Sequence, residues 1–239
     1  ALTCYTVMFT QLGIPGEALA LAVAINSMID FIATASNLTC LQVEVTTVAG
    51  QLGIPHHTLD LSGLFREQVM EPFVQAYEQG RTPNPCVTCN RTIKFGALLE
   101  VAGQLGCGRL ATGHYARTER DTGSGRVLLK RAVHPEKDQS YVLWSLSQAQ
   151  LERVCFPLGG LSKEEIRAIA EEQGLVSARR RDSQDICFVP DGDYAAFLCH
   201  HTGRTYSPGP FCDPEGRVLG VHEGIIHYTA GQRRGLQVS

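Results

Sequence analysis

The fold is decided by Thr82-Pro-Asn-Pro-Cys-Val-Thr-Cys-Asn-Arg-Thr-Ile-Lys-Phe-Gly96 and its continuation to Arg109-Leu-Ala-Thr-Gly-His-Tyr115. Each proline at 83 and 85 biases its predecessor toward extended backbone, so residues 82–85 form a loop. A helix then opens near Cys89 and runs through Ile93, Leu98, Leu99 and Ala102 to Gly106. Residues 109–112 read as a strand ending in Gly113-His114-Tyr115. Loop, helix, strand and glycine turn, in that order, are parts of an α/β domain.

Working upstream, Leu64, Val69, Phe73, Val74 and Tyr77 mark an amphipathic helix stopped by Gly80, preceded by a short strand over 57–61. A further helical stretch covers 42–52. Downstream, residues 127–132 form a strand, and Ser162-Lys-Glu-Glu165 is a capping box opening a helix that closes at Gly174. Another helix follows Asp191 as its cap. From Pro208 the pattern turns to β, with strands at 210–212 and 218–219 around Asp213-Pro-Glu-Gly216. The alternation up to about 190 predicts a parallel-sheet α/β domain over 1–190. Residues 191–239 begin a small β-rich domain.

The composition fits that picture. Of 239 residues, 44% are apolar and 19% charged, enough to build a core and too apolar for a disordered tail. The net charge of −3 gives no global sign of a nucleic-acid binder, but its distribution matters more. Residues 1–60 hold no Lys or Arg and carry Glu17, Asp30, Glu44 and Asp60; all 21 cations lie beyond them. Nine cysteines, without a dense disulfide framework, point to a reducing, cytoplasmic setting. The start lacks the basic residues of a signal or transit peptide. The apolar run at 18–25 is too short for a membrane span.

Two cysteine settings stand out. Cys86-Val-Thr-Cys89 follows the proline loop at a helix start, where unpaired N–H groups and the dipole lower a thiol pKa. Half of a zinc site is the competing reading, and it needs a second Cys or His pair that the spacing does not supply. Cys187, in Asp182-Ser-Gln-Asp-Ile-Cys-Phe188, follows Arg179-Arg-Arg181. Its apolar flank fits an inert core thiol and its cationic approach fits a reactive one, and both readings stand.

Six ordered blocks carry a resemblance. They are residues 80–96, Ala111-Thr-Gly-His-Tyr-Ala-Arg117, Lys137-Asp-Gln-Ser-Tyr141, Phe156-Pro-Leu-Gly159, Asp182–Phe188 and His227-Tyr-Thr-Ala-Gly-Gln-Arg233. In order and content they resemble the tRNA-specific 2-thiouridylases. The resemblance implies an adenine-nucleotide-hydrolase-like, PP-loop α/β domain. It also implies ATP (with Mg) as cofactor, and transfer of persulfide sulfur to the O2-activated wobble uridine of tRNA. By motif it makes Cys187 the persulfide carrier and Cys89 its partner nucleophile. It sets Gly113 and Asp30 against ATP, and Asn84, Pro85, Cys86, His114, Lys137, Asp138 and Gln139 toward tRNA. Cys86 is not assigned to catalysis, and no metal ligands are implied. The expected partners are tRNA and a sulfur-donor protein carrying persulfide, with no membrane; the expected state is a monomer. For His114 and Lys137 the plainer readings are a satisfied strand-end histidine and a solvated charge.

The sequence departs from the family at its PP loop, Ser-Gly-Gly-Val-Asp-Ser, whose glycines let backbone N–H groups cradle phosphate. In Val23-Ala-Ile-Asn-Ser-Met-Ile-Asp-Phe-Ile32, Asp30 keeps the acid, but Ser27 and Met28 replace the glycines and Phe31 the serine. From Asp30 to Gly53 the chain is also short for the expected βα unit. Residues 1–46 therefore read as divergent, and the C-terminus is expected to stop short of a barrel that grips tRNA. Two alternatives follow: a relative that binds tRNA or relays sulfur without activating by ATP, and a zinc-stabilised nucleic-acid module.

Overall fold

The computed structural model describes residues 4–5, 49–50, 53–173, 186–189 and 192–236. Asp30, Asp191, Arg179–Arg181, and most of the stretches at 1–46 and 42–52 lie outside them.

The first long helix, α1, is built from Ser62–Phe65, Arg66–Met70 and Glu71–Glu78, the middle segment with π geometry. Phe65, Val69, Phe73 and Tyr77, spaced by four, share its buried side. Gly80, at φ 70°, ends it: Arg81 N–H bonds to the Ala76 carbonyl and Gly80 N–H to that of Tyr77. Those are the two bonds of a Schellman cap, which needs the left-handed conformation that glycine adopts without strain.

The second helix, α2, joins Pro85–Cys89, a π segment Asn90–Ala97, and Leu98–Gln104. It opens four residues earlier than the spacing predicts. Pro85 at the first position needs no N–H partner, and the Asn84 side chain caps the helix by accepting from Cys86 N–H at 3.1 Å. Pro85, expected as the last residue of the 82–85 loop, is instead the first helical residue.

Strand β1 (Cys4–Tyr5) pairs antiparallel with β2 (Thr58–Leu59). After α2, β3 (Leu110–Ala111) pairs in parallel with β6 (Val154–Cys155), with Leu110 opposite Val154. The strand expected over 109–112 is β3. Between these two, β4 (Ala116–Arg120) and β5 (Val127–Arg131) form an antiparallel hairpin. Helix α3 (Gln148–Leu151) leads into β6, and α4 (Lys163–Glu172) opens at the predicted box, with Ser162 and Glu165 capping reciprocally. Helix α5 (Tyr194–Thr202) is capped by Asp193, and β7 (Gly209–Cys212) pairs antiparallel with β8 (Val218–His222).

Two cores flank α2. On one side Phe95, Leu98, Leu99 and Ala102 pack with Leu110 and Val154 of the parallel pair and with Phe156 just after it. On the other, Ile93 joins Phe65, Phe73 and Phe188, with Leu198 of α5 and Ile226. No helix among the described residues is long and apolar enough to cross a membrane.

Candidate functional site

Helix α2 gathers the motif blocks around itself. At its entrance, Thr82 Oγ1 accepts from Ala230 N–H at 3.1 Å, which ties the proline loop to the block at 227–233. One residue past Cys89, Asn90 is only 3% exposed, and its amide donates to the Val142 carbonyl at 3.2 Å. Further along, Gln150 Nε2 donates to the Phe95 carbonyl at 2.7 Å. The helix carrying C-x-x-C and the loop before it are thus held by bonds spanning 52 to 148 positions.

Gly113 lies half-buried just past β3, at the carboxyl end of the parallel β3–β6 pair. Open parallel sheets place their ligand sites at that end. The loop at 23–32, which would hold the phosphates, lies outside the described residues.

His114 turns inward. It is 6% exposed, its Nδ1 bonds to Thr112 Oγ1 at 2.8 Å, and its ring lies against Phe95 and Phe156, with centroids 5.8 and 6.1 Å away. The imidazole packs at the strand end. The block Phe156–Gly159 belongs to the same packing. Phe156 stacks edge-on to His114 and Phe95, Leu158 is buried beside Ala111, and Gly159 accepts from Val133 N–H at 2.9 Å.

Lys137, Asp138 and Gln139 are half-buried, at and after a 3₁₀ turn over Pro135–Lys137. Gln139 bonds twice to Tyr115: its N–H donates to the Tyr115 carbonyl at 2.8 Å, and its Oε1 accepts from Tyr115 N–H at 3.0 Å. This couples the 137–139 block directly to the Gly113–Tyr115 exit of β3. Asp138 accepts from Ala132 N–H at 2.8 Å and from Ser140 Oγ at 2.7 Å. Burial pushes its carboxyl up, but the Ser140 and Ala132 hydrogen bonds together hold it below the usual value.

The thiols divide by surroundings. Cys86 is exposed, whereas Cys89 and Cys187 are half-buried and pack against one hydrophobic cluster, the one containing Ile93 and Phe188. Two residues 98 positions apart are thereby brought to the rim of a single core. Because α2 starts at Pro85, its N-terminal turn presents Cys86, and Cys89 stands a full turn further in. The first turn, within which the dipole effect acts, therefore holds Cys86 and not Cys89. Burial pushes the Cys107 thiol up, and also that of Cys155 despite the opposing Arg109. Among the described residues no three His, Cys, Asp or Glu side chains form a metal-holding group.

Sequence reasoning missed Asn90, although it sits inside the block at 80–96. Its signal is a polar residue at an inward helical position, which a spacing rule for cysteines does not see.

The family model described as tRNA methyl transferase HUP domain matches residues 19–191, and that described as tRNA methyl transferase PRC-barrel domain matches 195–239. The chain belongs to this family. It is similar to proteins named tRNA-specific 2-thiouridylase MnmA 2 from Thermoanaerobacter sp. (strain X514), at 52% identity over 85% of this chain and 57% of the relative. It is likewise similar to MnmA 1 of Caldanaerobacter subterraneus subsp. tengcongensis, at 53% over 80% and 53%, and to MnmA of Clostridioides difficile, at 45% over the same shares. The chain spans a little over half the length of the curated relatives it matches. Its α/β part is the HUP domain of the family, followed by PRC-barrel sequence. The match reaches back to residue 19, inside the stretch read as divergent.

Proposed function

We propose that this chain performs the sulfur-transfer chemistry of a tRNA-uridine 2-sulfurtransferase: wobble uridine of tRNA receives sulfur at C2 from a persulfide on Cys187. The observation that carries the reading is the convergence of Cys89 and Cys187 on one core cluster beside the Asn84-capped start of α2.

In this reading Cys187 bears the persulfide delivered by a donor protein. Its terminal sulfur goes to C2 of the uridine as the O2 substituent departs. Bound ATP supplies the activation that makes that oxygen leave as AMP. Cys89 thiolate bonds to the Cys187 sulfur, so the sulfane sulfur gains two electrons and the two cysteines end as a disulfide. Asn84, Pro85 and Cys86 form the turn facing the base, and Lys137 supplies charge toward the tRNA backbone. Asp138 and Gln139 shape the segment, and His114 positions Gly113 and Tyr115 from below. The protein works as a monomer.

The test is mass spectrometry of single Cys→Ser variants after sulfur loading and mild oxidation. Persulfide should be lost in Cys187→Ser, kept in Cys89→Ser, and untouched in the Cys107, Cys155, Cys199 and Cys212 variants. Persulfide retained in Cys187→Ser, or a dominant Cys86–Cys89 disulfide with Cys187 reduced throughout, would overturn the assignment. The relay alternative rests on Ser27 and Met28 in the phosphate loop. On that alternative calorimetry detects little or no ATP binding by this chain, whereas a micromolar affinity supports the ATP-dependent reading and removes the relay.

A further inference from the structure

The segment following Gln139 has an exposure pattern with a period of three. Val142, Leu143 and Leu146 are buried in the core beside α2, while Tyr141 and Trp144 are 63% and 71% exposed. The backbone supports this as 3₁₀ turns: Val142 N–H bonds to the Gln139 carbonyl, Leu143 to Ser140, and Leu146 to Leu143. Residues i and i+3 eclipse in such turns, and three is the spacing of Tyr141 and Trp144. An exposed tryptophan and tyrosine together are costly to leave in water and call for an occupant.

The charges beside them indicate which one. Ser140–Val142 packs against β5, whose last residue, Arg131, is exposed, and Arg117 Nε donates to the Arg131 carbonyl at 2.9 Å. Lys137 lies four residues before Tyr141. Of the nearby acids, Glu119 pairs with Lys130 at 2.6 Å, Asp138 accepts from Ala132 N–H and Ser140, and the exposed Glu136 lies 3.6 Å from His134. Aromatic faces next to cations are the chemistry of single-stranded nucleic-acid binding, with bases stacked on rings and phosphates met by Arg or Lys.

We infer that Tyr141 and Trp144 form a stacking platform for unpaired bases of the tRNA, flanked by Arg117 and Arg131 as phosphate contacts. The inference rests on the tRNA reading above and adds a binding surface to it. Asn90 sets the platform's place, because its bond to Val142 fixes this segment to the helix of Cys89.

Trp144 is the single tryptophan of the chain, so its fluorescence reports on this surface alone. The experiment titrates the chain with an unmodified tRNA carrying a wobble uridine, following tryptophan emission and the anisotropy of labelled tRNA in parallel. Emission should be quenched with the midpoint seen by anisotropy. Trp144→Ala and Tyr141→Ala should each weaken binding about tenfold, within the range for loss of one base stack. Trp144→Phe, which keeps a π face, should recover most of it. Circular dichroism should be unchanged, since both side chains are exposed. Normal anisotropy with unmoved emission and an unaffected Trp144→Ala would sink the platform and leave the tRNA reading standing. Absence of any tRNA binding by the wild-type chain would fell both. Protection of Trp144 from iodide quenching in the free chain would show the face already covered, and would also overturn the inference.

Discussion

Asp138 illustrates how a residue in a tRNA-facing block can do most of its work inside the fold. Its two oxygens take bonds from Ala132 N–H and from Ser140, closing the corner between β5 and the 3₁₀ turns that present Tyr141. Those bonds lower its pKa in the folded chain despite burial. An acid with a depressed folded pKa adds stability above its unfolded value of about 3.9, and that stability is lost as pH falls through the folded value. Asp138→Asn should therefore cost on the order of 1 kcal/mol at neutral pH, the scale of a charge-assisted bond discounted for partial exposure. The gap between variant and wild type should close as pH drops below about 4. Urea midpoints at pH 7 and pH 3.5 check this; an equal gap at both would show that the charge contributes nothing.

Among the elements, the sequence discloses those that bury one face and hides those that do not. Helix α1, α2 beyond its first turn, the box of α4 and strand β3 follow from apolar spacing and caps. Strand β4 was not legible: of Ala116-Arg-Thr-Glu-Arg120 only Ala116 is buried, so no alternation marks it. The sequence points to Asp191 as the cap of α5, but Asp193 lies at the helix start and accepts from Ala196 N–H at 2.8 Å. In the site, motif order found the cysteines and the 137–139 block, but not their environments. Asn90, the inward ring of His114 and the role of Gly159 depend on partners far along the chain, and local pattern holds no record of those. Gly159 gives the sharpest element-level prediction. A Cβ there would overlap the Ala116 carbonyl oxygen and crowd Arg117 Cγ, where the 3₁₀ turn Pro157–Gly160 crosses the start of β4. Backbone cannot step aside as a side-chain tip can, so Gly159→Ala should destabilise by about 2–4 kcal/mol, as overpacking at a backbone contact does. A thermal shift of less than a degree would show that this crossing is loose.

Across the whole molecule the sum of charge conceals its arrangement. The net of −3 comes with every Lys and Arg placed after residue 60, so the part that carries Cys89, Cys187, the hairpin and the 137–144 segment is cationic relative to the start of the chain. For a polyanion the local field matters, and binding releases counterions from the phosphates that Lys and Arg neutralise. Binding of tRNA should consequently weaken with salt, log K falling linearly with log salt by roughly 0.7–0.9 per phosphate contacted. Lys137→Ala should lower affinity at low salt and shallow that slope by up to about one contact's worth. Neutralising Arg179–Arg181 should do so by more. Stacking variants behave differently: Trp144→Ala should lower affinity at every salt concentration and leave the slope alone, because a ring on a base displaces no counterion. Filter binding from 50 to 300 mM salt on these variants separates the two kinds of contact. A slope indistinguishable from zero in the wild type would remove phosphate from the interface, and a Trp144→Ala slope shallower than wild type would move the tryptophan out of the stacking role.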